Sequence, residues 1–125
     1  MAQKNDFCPE MLSALQNANS ILLCTHVSPD GDAIGATLAM GLALKNLGKQ
    51  VTMADADPVP GQYLFLPGAK DFVRAEDLRG KRFDAALAID AASAERLGDL
   101  LLIVKINVCQ FKKCHLMQWC TSIKM

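Results

Sequence analysis

Between Ser20 and Gly35 the chain reads Ser-Ile-Leu-Leu-Cys-Thr-His-Val-Ser-Pro-Asp-Gly-Asp-Ala-Ile-Gly, an apolar run that breaks into one histidine and two aspartates before a long helical pattern begins. Ile21 to Cys24 is short, wholly apolar and followed by turn residues, so it reads as a strand buried on both faces. Pro29, Asp30 and Gly31 supply a sharp exit from it. Asp32 suits the N-cap of the following helix. A buried strand, a tight loop and a helix N-terminus in that order form the place where open α/β sheets put their ligands.

His26, Asp30 and Asp32 spell H-x-x-x-D-x-D within that loop. Imidazole and carboxylate are ligands for manganese, zinc or iron, and oxygen-rich sets lean towards manganese and magnesium. Such closely spaced groups, all ahead of one helix, can converge on a small volume. The same residues also make sense as a turn (Asp30-Gly31), a cap (Asp32) and a polar strand end (His26). The spacing alone leaves both readings open.

The rest of the chain fits an α/β fold. Asp6, Pro9 and Glu10 ahead of Met11, Leu12 and Leu15 read as a capped amphipathic helix ending near Asn17 to Asn19. A second helix runs from about Ala33 to Leu47, with Ile34, Leu38 and Leu42 near helical spacing and Gly48 as its stop. Its small residues suit close packing on a sheet, and Gly35 serves either that packing or room for a bound phosphate. Val51 to Ala54 is a second buried strand, so strand, helix and strand make a βαβ unit with parallel strands. Asp55 and Asp57 read foremost as turn residues at its end. Gln62 to Leu66 reads as a short helix with Tyr63 and Phe65 in the core, and Ala75 to Arg79 as one helical turn closed by Gly80. Ala85 to Ile89 is a third buried strand ending in Asp90, which faces the His26 loop if the two strands are neighbours. Ser93 is the cap of a further helical segment. The expected architecture is a parallel sheet of three to four strands flanked by helices.

Charge divides the chain near residue 100. All thirteen acids lie at or before Asp99, with nine Lys and Arg, whereas the remainder carries four lysines and no acid. Overall neutrality gives no global field for nucleic acid. Five cysteines and an N-terminus without an apolar stretch point to free thiols in the cytoplasm, and no run is long enough to span a membrane. A dinucleotide-binding fold is disfavoured because the strand-helix junction lacks G-x-G-x-x-G and carries carboxylates.

His-Val-Ser-Pro-Asp-Gly-Asp-Ala-Ile-Gly-Ala after an apolar strand resembles the first motif of the DHH phosphoesterases, in particular the RecJ-related oligoribonucleases and phosphoadenosine-phosphate phosphatases. Ala-Ile-Asp-Ala-Ala around Asp90 resembles the second. The resemblance covers roughly residues 8 to 100, and residues 1–100 are taken as the N-terminal part of a DHH phosphoesterase domain. It implies an enzyme hydrolysing phosphate esters of short RNA or DNA oligonucleotides or of phosphoadenosine nucleotides at two Mn2+ ions, with Mg2+ as substitute. By the same resemblance His26, Asp30, Asp32 and Asp90 are the metal ligands, Asp90 bridges both ions, and Asp32 and Asp90 are catalytic.

Beyond Asp99 the resemblance stops. The family's Asp-His-His signature, a further metal-binding aspartate and a Gly-Gly-Gly-His loop do not follow. Residues 101–125 read instead as a divergent basic, cysteine-rich tail and not a separate domain. Leu101 to Val108 reads as a strand. Cys109, Cys114, His115 and Cys120 lack the paired spacing of a zinc knuckle and read as free groups. The expectation is a DHH-type domain truncated, or changed in reading frame, near Leu100, with weak or no turnover. Self-association through exposed sheet edges goes with it. The competing expectation is a non-catalytic fragment or a metal- or nucleotide-binding module.

Overall fold

The computed structural model describes residues 9–91 and 94–100, together with the backbone of 112–114 and 117–123. Helix α1 (Pro9–Asn17) leads into strand β1 (Ser20–Thr25), followed by helix α2 (Gly31–Asn46) and strand β2 (Gln50–Asp55). Short 3-10 turns at Gly61–Tyr63 and Ala69–Asp71 lead to a two-residue strand β3 (Val73–Arg74). A further 3-10 turn at Ala75–Leu78 precedes strand β4 (Phe83–Ile89), and another follows at Ala94–Leu97. Strands β5 (Lys112–Cys114) and β6 (Met117–Ile123) complete the described elements.

The sheet order is β3-β2-β1-β4-β6-β5. Strands β3, β2, β1 and β4 run parallel, whereas β6 lies antiparallel to β4 and β5 antiparallel to β6. The α/β fold with its four parallel strands is the one expected, and the antiparallel pair extends it on the β4 side. The chain moves from β1 to one side for β2 and to the other side for β4. The crevice beyond the carboxyl ends of β1 and β4 is therefore a topological switch point.

Both faces of the parallel strands are covered, as their unbroken apolar sequence requires. On one face Ile21, Leu23, Met53, Ala85, Leu87 and Ile89 pack with Leu15 of α1 and Ile34, Leu38 and Leu44 of α2. On the other, Leu22, Cys24, Ala54, Ala86 and Ala88 pack with Leu78, Leu97 and Leu100. Gly41 lets α2 lie close to the sheet: a Cβ there would stand 3.0 Å from Met53 Sδ and 3.6 Å from Leu23 Cδ1. Gly35 has no such role, because a Cβ on it would meet nothing within 4 Å.

Backbone polar groups at the strand entrances are held by one carboxylate. Asp84 Oδ2 accepts the N–H groups of Asn19 and Ser20 at 2.9 and 3.0 Å, and Asp84 N–H donates to Ser20 Oγ at 3.0 Å. Those donors hold the Asp84 carboxyl below its usual range. Lys49 Nζ donates to the Gln16 and Ala18 carbonyls, both at 2.7 Å, which satisfies the end of α1 and fastens it to the turn before β2.

Several sequence expectations shift. Helix α2 begins at Gly31, and Asp30 caps it in place of Asp32: Asp30 has extended backbone, and its Oδ1 accepts Ala33 N–H at 2.9 Å. Phe65 is 81% exposed and outside the core. Tyr63, at the end of the 3-10 turn, and Leu66, in the turn that follows, pack on the α2-side cluster, and Phe65 between them points away from it. The segments after β2 and β3 form 3-10 turns where helical turns were expected. The Asp6 and Ser93 caps, the strand at 101–108 and the tail thiols lie outside the described residues or side chains. Among the described residues, no helix is long and apolar enough to cross a membrane.

Leu23 is fully buried between β1's neighbours and α2. Leu23→Ala is expected to cost about 2–5 kcal/mol, read as a lower urea midpoint with an unchanged denaturant slope.

Candidate metal centre

The register of β1 on β4 pairs Thr25 with Ile89, so His26 and Asp90 follow side by side at the two strand tips. Thr25 is fully buried, and its hydroxyl donates to the Ile89 carbonyl at 2.8 Å, tying the tips together. Asp30 completes the group from the N-cap of α2. One ligand atom from each of His26, Asp30 and Asp90 lies within 4.8 Å of the others. His26 Nε2 is 3.8 Å from Asp30 Oδ1 and 3.7 Å from Asp90 Oδ2. These separations exceed a hydrogen bond and leave space between the groups.

The histidine's other nitrogen sets its chemistry. Nδ1 lies 2.6 Å from the Val27 carbonyl, an acceptor only, so Nδ1 carries the proton. In the neutral ring Nε2 then holds a lone pair aimed between the two carboxylates. A ring fixed by donation to a carbonyl, with its second nitrogen free, is the usual arrangement of a metal-binding imidazole. The donor set of one imidazole and two carboxylates thus fits a divalent cation. His26 is almost buried, whereas the side chains of Asp30 and Asp90 are 63% and 31% exposed, so the group opens to solvent on the carboxylate side.

Backbone conformation is unusual where these ligands are presented. Among the described residues the non-glycine positions of positive φ are Ser28 at 51° and Asp90 at 57°. Both belong to the ligand-bearing loops, where left-handed backbone persists only when the surroundings hold it. Ser28 N–H donates to Asp57 Oδ2 at 2.6 Å, and Val27 N–H to the Arg96 carbonyl at 2.7 Å. Gly98, at φ 58°, lies so close to the loops after β1 and β2 that a Cβ there would stand 2.6 Å from Val27 Cγ1 and 3.3 Å from Ala56 Cβ.

Asp32 lies in the first turn of α2, exposed, and is not one of the three converging groups. Asp55, read from the sequence as a turn residue, is 1% exposed at the tip of β2. Its Oδ1 accepts Asp57 N–H at 3.2 Å, and its Oδ2 has no hydrogen-bond partner among the described residues. Burial pushes this carboxyl from 3.8 up to about 7, with the Asp57 charge adding to the rise and the N–H groups of Asp57 and Ala56 and His26 opposing it. Burial, and then Asp55, push the Cys24 thiol up to about 12, which leaves it protonated and unreactive.

No family model matches the chain. Over 70 residues it is 41% identical to the bifunctional oligoribonuclease and PAP phosphatase NrnA of Thermus thermophilus, a match covering 56% of this chain and 20% of that protein. The crystal structure of an exopolyphosphatase-related protein from Bacteroides fragilis superposes with a TM-score of 0.68 at 25% identity, covering 76% of this chain and 30% of the other. In its N-terminal part the chain is thus similar to these two proteins in sequence and in fold, which agrees with the DHH-type resemblance of its motifs. It spans about a fifth of the length of the curated DHH relative and under a third of the solved one. Three of the residues singled out in the sequence motifs, His26, Asp30 and Asp90, are the ones whose side chains converge.

The buried Asp55 carboxyl is the more protonated in the folded chain between about pH 4 and 7, so folding takes up a proton there. Its contribution to stability is full below pH 3.8 and is lost as pH rises through about 7. In EDTA, the urea midpoint of the wild type should fall more steeply from pH 5 to 8 than that of Asp55→Asn. Parallel curves for the two proteins would contradict the assignment.

Proposed function

We propose that the chain provides the cation-binding half of a phosphoesterase acting in the cytoplasm on phosphodiester or phosphomonoester bonds of short RNA or DNA oligonucleotides or of phosphoadenosine nucleotides. The observation that carries this reading is the convergence of His26 Nε2 with Asp30 and Asp90 while Nδ1 is committed to the Val27 carbonyl. The name of the Thermus thermophilus relative, an oligoribonuclease and PAP phosphatase, supports the substrate class.

His26, Asp30 and Asp90 would hold one divalent ion, and Asp90 with the exposed Asp32 would contribute to a second. One neutral imidazole among carboxylates suits Mn2+, with Mg2+ as the alternative. When bound, such ions lower the pKa of water and offset the charge of phosphate oxygens. The protein's own part is positional. The Val27 carbonyl orients the imidazole, the cap geometry of α2 fixes Asp30, and the tie between Thr25 and Ile89 fixes Asp90 beside them. The helix N-terminus lessens the repulsion among the clustered carboxylates.

Turnover by this chain is proposed to be weak or nil, because the Asp-His-His signature of the family resemblance is not in its sequence. A second reading, a metal- or nucleotide-binding module without turnover, is favoured by the same fact.

Calorimetric titration with Mn2+ is expected to show binding by the wild type and at least about tenfold weaker binding by Asp90→Asn, since one of three converging ligands is weakened. A Mn2+-dependent release of mononucleotide from a dinucleotide, lost in the same variant, would establish the enzyme. Binding without release would favour the module, and no Mn2+ binding would overturn the enzyme and the metal-binding module alike.

A further inference from the structure

We infer that Asp57 is a positioning residue for the metal loop, holding the left-handed turn at Ser28 from the neighbouring strand exit. Asp57 lies beyond the tip of β2, and its Oδ2 accepts the Ser28 N–H at 2.6 Å across 29 residues of sequence. Ser28 stands between His26 and Asp30 and has φ 51°, a left-handed conformation that an L-residue with a side chain adopts only when its surroundings hold it. A charge-assisted bond from a carboxylate to that N–H is a hold of that kind. Asp57 is itself anchored, because its own N–H donates to Oδ1 of the buried Asp55 at 3.2 Å. The links run from the interior of the sheet through Asp55 and Asp57 to the backbone that spaces His26 from Asp30.

Without the Asp57 acceptor, Ser28 loses its hold in left-handed backbone and the loop relaxes. His26, fixed at the end of β1, and Asp30, fixed at the cap of α2, then lose the defined path between them. Groups that orient metal ligands in this way are typically worth about 10–100-fold in metal affinity. The inference rests on the metal reading for its functional consequence, and on hydrogen bonding alone for its structural part.

The experiment compares wild type, Asp57→Ala, Asp57→Asn and Glu76→Ala by Mn2+ titration, and by hydrogen exchange at the Ser28 amide in EDTA. Asn keeps a side-chain oxygen that can accept the Ser28 N–H, while Glu76→Ala removes an exposed negative charge elsewhere on the surface. The expected result is Mn2+ binding weakened about tenfold or more in Asp57→Ala, with Asp57→Asn within about threefold of wild type and Glu76→Ala unchanged. Ser28 exchange should quicken at least about tenfold in Asp57→Ala only. If Asp57→Ala binds Mn2+ as the wild type does, the positioning role is wrong and the metal site stands. If the wild type binds no Mn2+, the metal reading fails, and the Ser28 amide still decides the structural role: unchanged exchange in Asp57→Ala overturns it. Equal weakening in Asp57→Ala and Glu76→Ala would reduce Asp57 to one negative charge among several and would also overturn it.

Discussion

The parallel pairing of β1 with β4 places the strand tips that carry His26 and Asp90 next to one another. Such pairing exposes no free face, so it needs apolar cover on both sides. Helices α1 and α2 cover one side, and the segments around Leu78, Leu97 and Leu100 cover the other. A slip of one residue in the register would send each buried side chain to the opposite face and part the two ligands. The polar ends of the strands are therefore located by their apolar middles.

That dependence explains why so much was legible in the sequence. Apolar runs ending in acids mark parallel strands whose carboxyl tips meet, and Asp90 lies beside His26 as its place after the third run implied. The family resemblance drew on the same residues. What could not be read was local geometry of short range. Asp30 and Asp32 are chemically equal candidates for the cap, and only the backbone angles distinguish them. Phe65 is as apolar as its neighbours, yet it lies in the turn between two short 3-10 segments, where Tyr63 and Leu66 pack inward and it remains outside. Gly35 and Gly41 look alike in sequence, but only the second touches the sheet.

The contacts between loops were hidden for a different reason. Asp57 reaches Ser28 only because the exits of β1 and β2 are adjacent, and nothing in either segment alone announces the other. Neither Ser28 nor Asp90 is a glycine, so their positive φ carries no signature in composition. The nearest signal in the sequence is the pair of aspartates at the end of β2, whose composition is that of a turn. Its first member is buried and holds the second, so the turn is also a support.

Gly98, in the segment that follows Asp90, lies where a Cβ would run into side chains of the loops after β1 and β2, at Val27 and Ala56. Three stretches far apart along the chain therefore share one point of backbone thickness. Their relative placement is set there by the absence of a methyl group, in the manner of a keystone cut thin so that the stones on either side can lean together. Any side chain at this position would push the loops after β1 and β2 away from the segment that follows Asp90.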